Sequence, residues 1–271
     1  MNLSKRARIA LGMISALVLT ILYFPLLVVV VNSFNPSKTF SWPPTGFSTE
    51  WWGKAIANTG VRTALVTSLK AGLGATSIAL VLGSMAAFAV ARYKFFGREA
   101  ISLLVILPIA LPGIVTGIAL SSTFATFLQP FGIGLGLFTV IIGHATFCIV
   151  VVYNNVLARL RRVGSTLEDA SGDLGANTFQ TFRYVTFPTI RSSLVAGALL
   201  AFALSFDEIV VTTFTSGPNI KTLPQWIFDN LFRPNQAPII NVVAACLIVA
   251  FALPVWLSQR LSDGAAAGGR I

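Results

Sequence analysis

Two adjacent acids, Asp207 and Glu208, lie within the otherwise apolar stretch "ALLAFALSFDEIVVTTFTSGP". An ionised carboxylate in such surroundings is costly, so it usually lines a water-filled path or pairs with an opposite charge. If the stretch is one helix, Ser205, Glu208 and Thr212 share a polar stripe, and Asp207 is turned about 100° away from it. Lys70 is the single charge between residues 63 and 91, at a similar depth from the outer end of its own apolar stretch.

These five residues allow two arrangements. In the first, both stretches face a shared translocation path, Lys70 compensates one acid, and Asp207 or Glu208 is left to bind cargo. The remaining negative charge would suit a cation. In the second, Lys70 and nearby hydroxyl groups satisfy both acids in a buried charge network. The spacing alone leaves both arrangements open.

The elements that carry these residues are membrane spans. The chain has 271 residues, 55% of them hydrophobic and 10% charged, with a mean hydropathy of +0.81. A soluble domain is excluded, because charged residues make up about a quarter of a globular sequence. Six apolar runs approach or exceed the roughly 20 residues that a helix needs to cross a bilayer. We predict an all-α, polytopic membrane protein with six transmembrane helices, at about 9–34, 63–91, 100–127, 135–158, 192–215 and 238–259.

The 19 Lys and Arg residues are distributed unevenly between the loops. With the N-terminus inside, thirteen fall on the cytoplasmic side, five on the outer side and Lys70 within a span. This is the positive-inside asymmetry, and it places both termini in the cytoplasm. The net charge of +10 therefore reflects membrane topology, and no nucleic-acid partner is expected.

Residues typical of an enzyme are sparse. No cluster of ligands has metal-binding spacing, and the Gly53–Lys54 pair lacks the spacing and hydroxyl of a phosphate loop. His144 is predicted to be a satisfied packing residue within its span. Cys148 and Cys246 also fall in predicted helices, where we expect core positions and no disulfide. We therefore predict no catalytic residue, no metal and no cofactor bound by this chain.

A polar elbow, "TLEDASGDLGANTFQTFRYVTFP", lies in the basic loop between the fourth and fifth spans. Ser165-x-x-Glu168 predicts a capping box that starts a helix, and Gly175 is placed to end it in a left-handed conformation. Asn177 or Thr178 is expected to cap a second short helix that runs to about Val185. Pro188 should prevent its smooth continuation.

The elbow combines apolar and acidic side chains. The apolar residues that we expect to be exposed are Leu167, Leu174, Phe179 and Phe182. The acids of its first helix are Glu168, Asp169 and Asp173. An apolar patch with a charged rim favours docking to a partner over a loop that lies solvated on the headgroups.

The elbow resembles a motif of the permease subunits of ATP-driven bacterial (ABC) importers, written EAA, three residues, Gly, nine residues, I-x-L-P. This chain has Asp169-Ala170-Ser171, three residues, Gly175, nine residues, then Val185-Thr186-Phe187-Pro188. Every spacing matches. Asp replaces Glu, Ser the second Ala, Val the Ile and Phe the Leu. Because Glu168 stands immediately before Asp169, either acid could make the ionic contact of the family.

The resemblance implies a type I ABC importer permease fold, a single permease domain over residues 1–271, and a bacterial inner-membrane location. It also implies a cytoplasmic coupling loop at about 159–191, and we expect a flexible tail at about 262–271. The elbow would be the coupling helix, seated in a cleft of a cytoplasmic ATPase subunit. Its acids would meet a basic residue there, Gly175 would allow close approach, and Phe179 and Phe182 would fill the cleft. The implied partners are two ATPase subunits that carry the ATP and Mg²⁺, a second permease subunit, an external substrate-binding protein and membrane lipid.

The stretch "LSFDEIVVTTFTSGP", followed by "TLPQWIF", is most similar to the spermidine/putrescine branch of these permeases. Relatives that carry ferric iron, phosphonates or other small solutes are alternatives, and the permease pair is either a homodimer or a heterodimer. A transporter driven by an ion gradient would use the acid pair as a proton relay, but it gives no reason for the elbow. An intramembrane enzyme using His144 would need a nucleophile or metal cluster beside it.

Overall fold

The computed structural model describes the backbone of residues 4–39, 41–233 and 235–267, and the side chains of these residues as far as 252. The described chain is helical and contains no strand. The first six α-helices are α1 Lys5–Asn32, α2 Glu50–Ala57, α3 Thr59–Arg92, α4 Arg98–Ala110, α5 Gly113–Phe127 and α6 Leu137–Val163. The remaining six are α7 Thr166–Asp173, α8 Thr178–Thr181, α9 Phe187–Asp207, α10 Val210–Thr215, α11 Leu223–Asn230 and α12 Ala237–Ala267.

Four stretches of the described chain are long and apolar enough to cross a membrane: α1, α3, α6 and the stretch Thr178–Asp207, which includes α9. The third predicted span is instead a pair, α4 and α5, bent by 106°. Leu111 adopts an extended conformation (ψ 145°) at the break, as residues before a proline prefer. The break therefore falls at Pro112, whereas Pro108 stays inside α4.

The sixth predicted span, 238–259, ends outside the residues whose side chains are described. Its described part is the apolar stretch Ala237–Ala252 at the start of α12. The number of six spans and the cytoplasmic side of the termini therefore stay predictions. The tail predicted to be flexible from 262 is helical as far as Ala267, which fits the strong helix preference of its alanines. Residues 268–271 lie outside the described part.

The chain divides into two compact units. The first unit comprises Met1–Arg62 and Ile227–Ile271, and in it α12 packs against α1 and α2. Of α1 only Asn32 is buried, so the apolar surface of this helix is left for lipid or another chain. Trp51 of α2 is 6% exposed.

The second unit, Thr63–Trp226, is built around α6, which packs against α4, α9 and α10. Its core contains Ala75, Ala79 and Ala87 of α3, Val152, Tyr153 and Val156 of α6, and Ile190 and Ala201 of α9. Small residues on α3 let its backbone approach α6 closely, as is common between membrane helices. A Cβ atom at Gly83 would lie 2.8 Å from the carbonyl oxygen of Ile149.

The two cysteines differ in burial. Cys148 is fully buried in the second unit, where its Sγ lies 3.3 Å from the carbonyl oxygen of Ala201. This confirms the predicted core position. Cys246 is exposed on α12, so the core position predicted for it is wrong. An apolar residue on a membrane helix is as well solvated by lipid as by protein, and hydropathy cannot separate the two.

Candidate functional site

The first arm of the elbow is α7, and Gly175 ends it as predicted, with φ at +86°. The amide of Ala176 donates to the carbonyl of Ser171 at 3.1 Å, and the amide of Gly175 donates to that of Gly172 at 2.8 Å. This pair of bonds is the Schellman motif, and it satisfies carbonyl groups that the helix end would otherwise leave free. The turn is therefore fixed by local hydrogen bonds.

The second arm begins at Asn177, whose Oδ1 accepts from the amide of Gln180 at 2.9 Å. The Gln180 side chain accepts from the amide of Asn177 in return, so a capping box lies here. The arm does not end before Pro188, and that prediction is wrong. A π-helical turn, Phe182–Thr186, joins α8 to α9, and Pro188 falls in the first turn of α9, where a missing amide is tolerated.

The capping box predicted at Ser165 and Glu168 is also wrong. The side chain of Ser165 makes no capping bond, and the Glu168 carboxylate binds Arg92, the last residue of α3. Nε of Arg92 lies 2.7 Å from Oε2 of Glu168, and Nη2 lies 3.0 Å from Oε1. Nη1 and Nη2 also donate to the carbonyl oxygens of Leu160 and Gly164, at 3.2 and 2.7 Å.

Thr186 completes this cluster, because its hydroxyl donates to Oε1 of Glu168 at 3.1 Å. We call the cluster the Arg92 clasp: the Arg92 and Glu168 side chains, the Thr186 hydroxyl and the two carbonyl groups at the end of α6. The side chains of Arg92 and Glu168 are only 16% and 20% exposed. Sequence reasoning missed Arg92, which it had counted only as a cytoplasmic charge.

The remaining motif residues separate into two groups. Exposed residues are Asp169, Ala170, Gly175, Phe179 and Pro188. Phe179 is 70% exposed and Leu174, at the tip of the turn, is 90% exposed. Ser171 instead lies 3.1 Å from the Thr181 hydroxyl and ties the two arms together. Phe182 is 42% exposed, as predicted, and also packs against Phe88 and Phe187. The elbow thus exposes two acids, Asp169 and Asp173, together with apolar side chains, while Glu168 is bound within the chain.

The predicted fifth span is broken where its acids lie. Asp207 is the last residue of α9, Glu208 is extended (ψ 122°), and α10 starts at Val210. His144 of α6 bridges the break. Its Nδ1 lies 2.7 Å from the Ser205 hydroxyl, and its Nε2 lies 2.8 Å from that of Thr212.

His144 is fully buried, and Ser205 and Thr212 are 2% and 0% exposed. The predicted packing role of His144 is confirmed, with both ring nitrogens hydrogen-bonded. Ser205 and Thr212 face His144 in this structure, and their place on a translocation path stays a prediction. The sequence predicts that His144 lies in a membrane span, but no sequence pattern predicts its hydrogen bonds to Ser205 and Thr212.

The two acids at the break differ. Glu208 is half-buried, and its Oε1 accepts from the amide of Val211 at 2.8 Å, so it caps α10. Asp207 is exposed, and so is Lys70. No ion pair joins Lys70 to either acid, all three of which the structure describes. The predicted pairing of Lys70 is therefore wrong in this chain: Lys70 and Asp207 are exposed, and Glu208, beyond the end of α9, accepts from the amide of Val211 instead.

Comparison with known proteins agrees with this architecture. Residues 79–265 match the family described as binding-protein-dependent transport system inner membrane component. The chain is 33% identical over 246 residues to the putrescine transport system permease protein PotI of Escherichia coli, covering 89% of this chain and 86% of the relative. It is 32% identical over 242 residues to the spermidine/putrescine transport system permease protein PotC of Haemophilus influenzae, covering 89% and 91%.

Two solved structures share the fold. One is a bacterial ABC transporter involved in the import of the acidic polysaccharide alginate, with a TM-score of 0.71 and 13% identity over 96% of this chain and 99% of that chain. The other is the methionine ABC transporter MetNI, with a TM-score of 0.58 and 18% identity over 79% and 98%. At these identities the likeness concerns the fold alone. The chain belongs to the family of binding-protein-dependent transport system inner membrane components, and its fold is that of the ABC importer permeases.

Proposed function

We propose that this permease imports a polyamine, putrescine or spermidine, and that ATP hydrolysis on two separate cytoplasmic subunits drives the transport. The exposed face of the elbow is the observation that carries the proposal. Asp169 is exposed there and makes no ion pair among the described residues, Leu174 and Phe179 of the same elbow are also exposed, and hydrogen bonds hold the turn between the two arms. A rigid protrusion of this kind suits a cleft with a basic residue better than it suits water.

The cargo proposal rests on the break between α9 and α10, together with the names of the relatives. Putrescine and spermidine carry amines that are protonated at neutral pH, as the Lys side chain is. Asp207 is exposed at the carboxyl end of α9, where the helix dipole adds a partial negative charge. Glu208 is occupied by α10, so Asp207 is the acid left for a cation.

The other partners follow from the family and the exposed surfaces. The apolar side chains of α1 require lipid or a second permease subunit to cover them. An external binding protein would deliver the polyamine, and the ATPase subunits would hold ATP and Mg²⁺, so that this chain binds no cofactor itself. The proposal includes a multi-pass position in a bacterial inner membrane with both termini in the cytoplasm.

The test is uptake of labelled putrescine and spermidine by cells that express this chain with its neighbouring genes. Asp169→Lys should abolish both uptake and co-purification of the ATPase subunit. Glu99→Lys is the matched control, because Glu99 is also an exposed acid in the first turn of a helix on the cytoplasmic side. Loss of ATPase binding in both variants would contradict a specific role for Asp169. If the ATPase subunit co-purifies but no polyamine is taken up, the result would support the role as an ATP-driven permease and contradict the proposed cargo.

A further inference from the structure

We infer that the two neighbouring acids of the elbow divide the work of coupling: Asp169 docks the ATPase subunit, and Glu168, through the Arg92 clasp, positions the elbow against α3 and α9. The inference rests on the proposed function and adds to it a positioning role for Arg92. It begins from geometry, since adjacent residues on a helix point about 100° apart. Glu168 faces inward to Arg92, and Asp169 is exposed.

The clasp joins three parts of the second unit through one guanidinium group. Arg92 ends α3, its carbonyl partners are Leu160 in the last turn of α6 and Gly164 directly after that helix, and Glu168 belongs to the elbow. The Thr186 hydroxyl adds the π-helical turn before α9. A movement of the elbow would therefore directly move the cytoplasmic ends of α3 and α9.

The chemistry of the clasp makes it stiff. Both carboxylate oxygens of Glu168 are bound by Arg92, and a bidentate charge-assisted pair fixes orientation as well as distance. Lysine could not replace Arg92, because a single ammonium cannot hold two carboxylate oxygens and two carbonyl groups in this planar arrangement. Because both side chains are mostly buried, solvent screens the pair only weakly.

The clasp also distinguishes this elbow from a simple surface loop. A solvated loop would gain little from an ion pair, since exposed pairs contribute little to stability. Here the pair replaces the local capping box that Ser165 and Glu168 could have formed. The first helix of the elbow is thus tied to α3, 76 residues away along the chain, and has no side-chain cap at its start.

The test compares Glu168→Gln and Arg92→Gln with Asp169→Lys in the complex purified with its ATPase subunit. Lys94→Gln and Glu99→Gln are matched controls, because they remove the same charges from exposed positions near α3 and α4. Both clasp variants should keep ATPase co-purification within about twofold of wild type. In proteoliposomes, the labelled putrescine moved per ATP hydrolysed should fall at least about tenfold, because an unpaired buried charge loosens the joint.

A second experiment measures how readily a protease cleaves the elbow, and it needs no transport substrate. Trypsin cleavage at Arg183, an exposed residue of the π-helical turn, should accelerate in both clasp variants and stay at the wild-type rate in the two controls. If Arg92→Gln fails to fold, as judged by size-exclusion chromatography, Arg92→Lys replaces it and should show the same loss of coupling.

Three outcomes would overturn the inference. Glu168→Gln could release the ATPase subunit as Asp169→Lys does, which would make Glu168 a docking residue. Uptake per ATP could stay at the wild-type value in both clasp variants, or Arg183 cleavage could stay unchanged. Failure of wild-type protein to bind any ATPase subunit would instead refute the proposed function on which the inference rests.

Discussion

Replacing Gly83 with alanine is predicted to destabilise the protein, although alanine is the better helix former. Gly83 lies in α3 where this helix meets α6. An added Cβ atom would lie 2.8 Å from the carbonyl oxygen of Ile149 and 3.1 Å from the amide nitrogen of Tyr153. Both are backbone atoms, so no change of side-chain rotamer can relieve the contact.

Two opposing terms set the size of the effect. Alanine in place of glycine within a helix stabilises by about 1 kcal/mol. Forcing an extra carbon into a packed contact costs about 1–3 kcal/mol, and contact with a rigid backbone places Gly83 at the upper end. We expect a net loss of roughly 1–2 kcal/mol, which for a chain of this size lowers the unfolding midpoint by roughly 2–8 °C.

Thermal unfolding in detergent, followed by tryptophan fluorescence, measures this shift. Gly74→Ala is the matched control on the same helix. Its Cβ atom would lie 2.9 Å from Cδ1 and 3.1 Å from Cγ1 and Cγ2 of Ile141, all of them side-chain atoms, which can shift where backbone atoms cannot. Its midpoint should therefore fall less than that of Gly83→Ala. Equal midpoints for the two variants would refute the reasoning that backbone contact decides the cost.

Two further predictions concern the break between α9 and α10. His144→Phe removes the bonds to the Ser205 and Thr212 hydroxyls, and Thr212 keeps only its bond to the Glu208 carbonyl. The free energy of unfolding should therefore fall by about 1–3 kcal/mol, and a thermal midpoint equal to wild type would contradict the bridge. Asp207→Asn should abolish polyamine uptake while membrane levels and the thermal midpoint stay at wild-type values, because Asp207 is exposed and has no ion-pair partner in the described chain. Unchanged uptake would contradict the proposal that Asp207 lies on the translocation path.

Local signals in the sequence predicted much of the elbow. The sequence predicts a left-handed turn at Gly175 because few other residues adopt a positive φ, and it predicts a cap at Asn177 because this side chain can accept from a nearby amide. Both features depend only on residues within one turn of the helix. The break between α4 and α5 is of the same local kind, since Pro112 restrains the residue before it.

Features that depend on distant residues could not be predicted. Ser165 and Glu168 have capping-box spacing, but Glu168 forms a stronger, charge-assisted hydrogen bond with Arg92. Arg92 is distant in the sequence, so no local pattern predicts this pairing. The break after Asp207 has neither glycine nor proline at it, so the length and the apolar composition of this run predict one continuous helix. That error placed Glu208 on a stripe opposite Lys70, where the structure has it capping α10.

The measurement that tests the central claim most directly is uptake by proteoliposomes that contain this chain, its permease partner and its ATPase subunit, with the external binding protein added. ATP and Mg²⁺ on the side of the ATPase subunit should drive accumulation of labelled putrescine. Collapse of the proton gradient should leave that uptake unchanged, and Asp169→Lys should abolish it. Uptake that follows the proton gradient and persists without ATP would contradict the account.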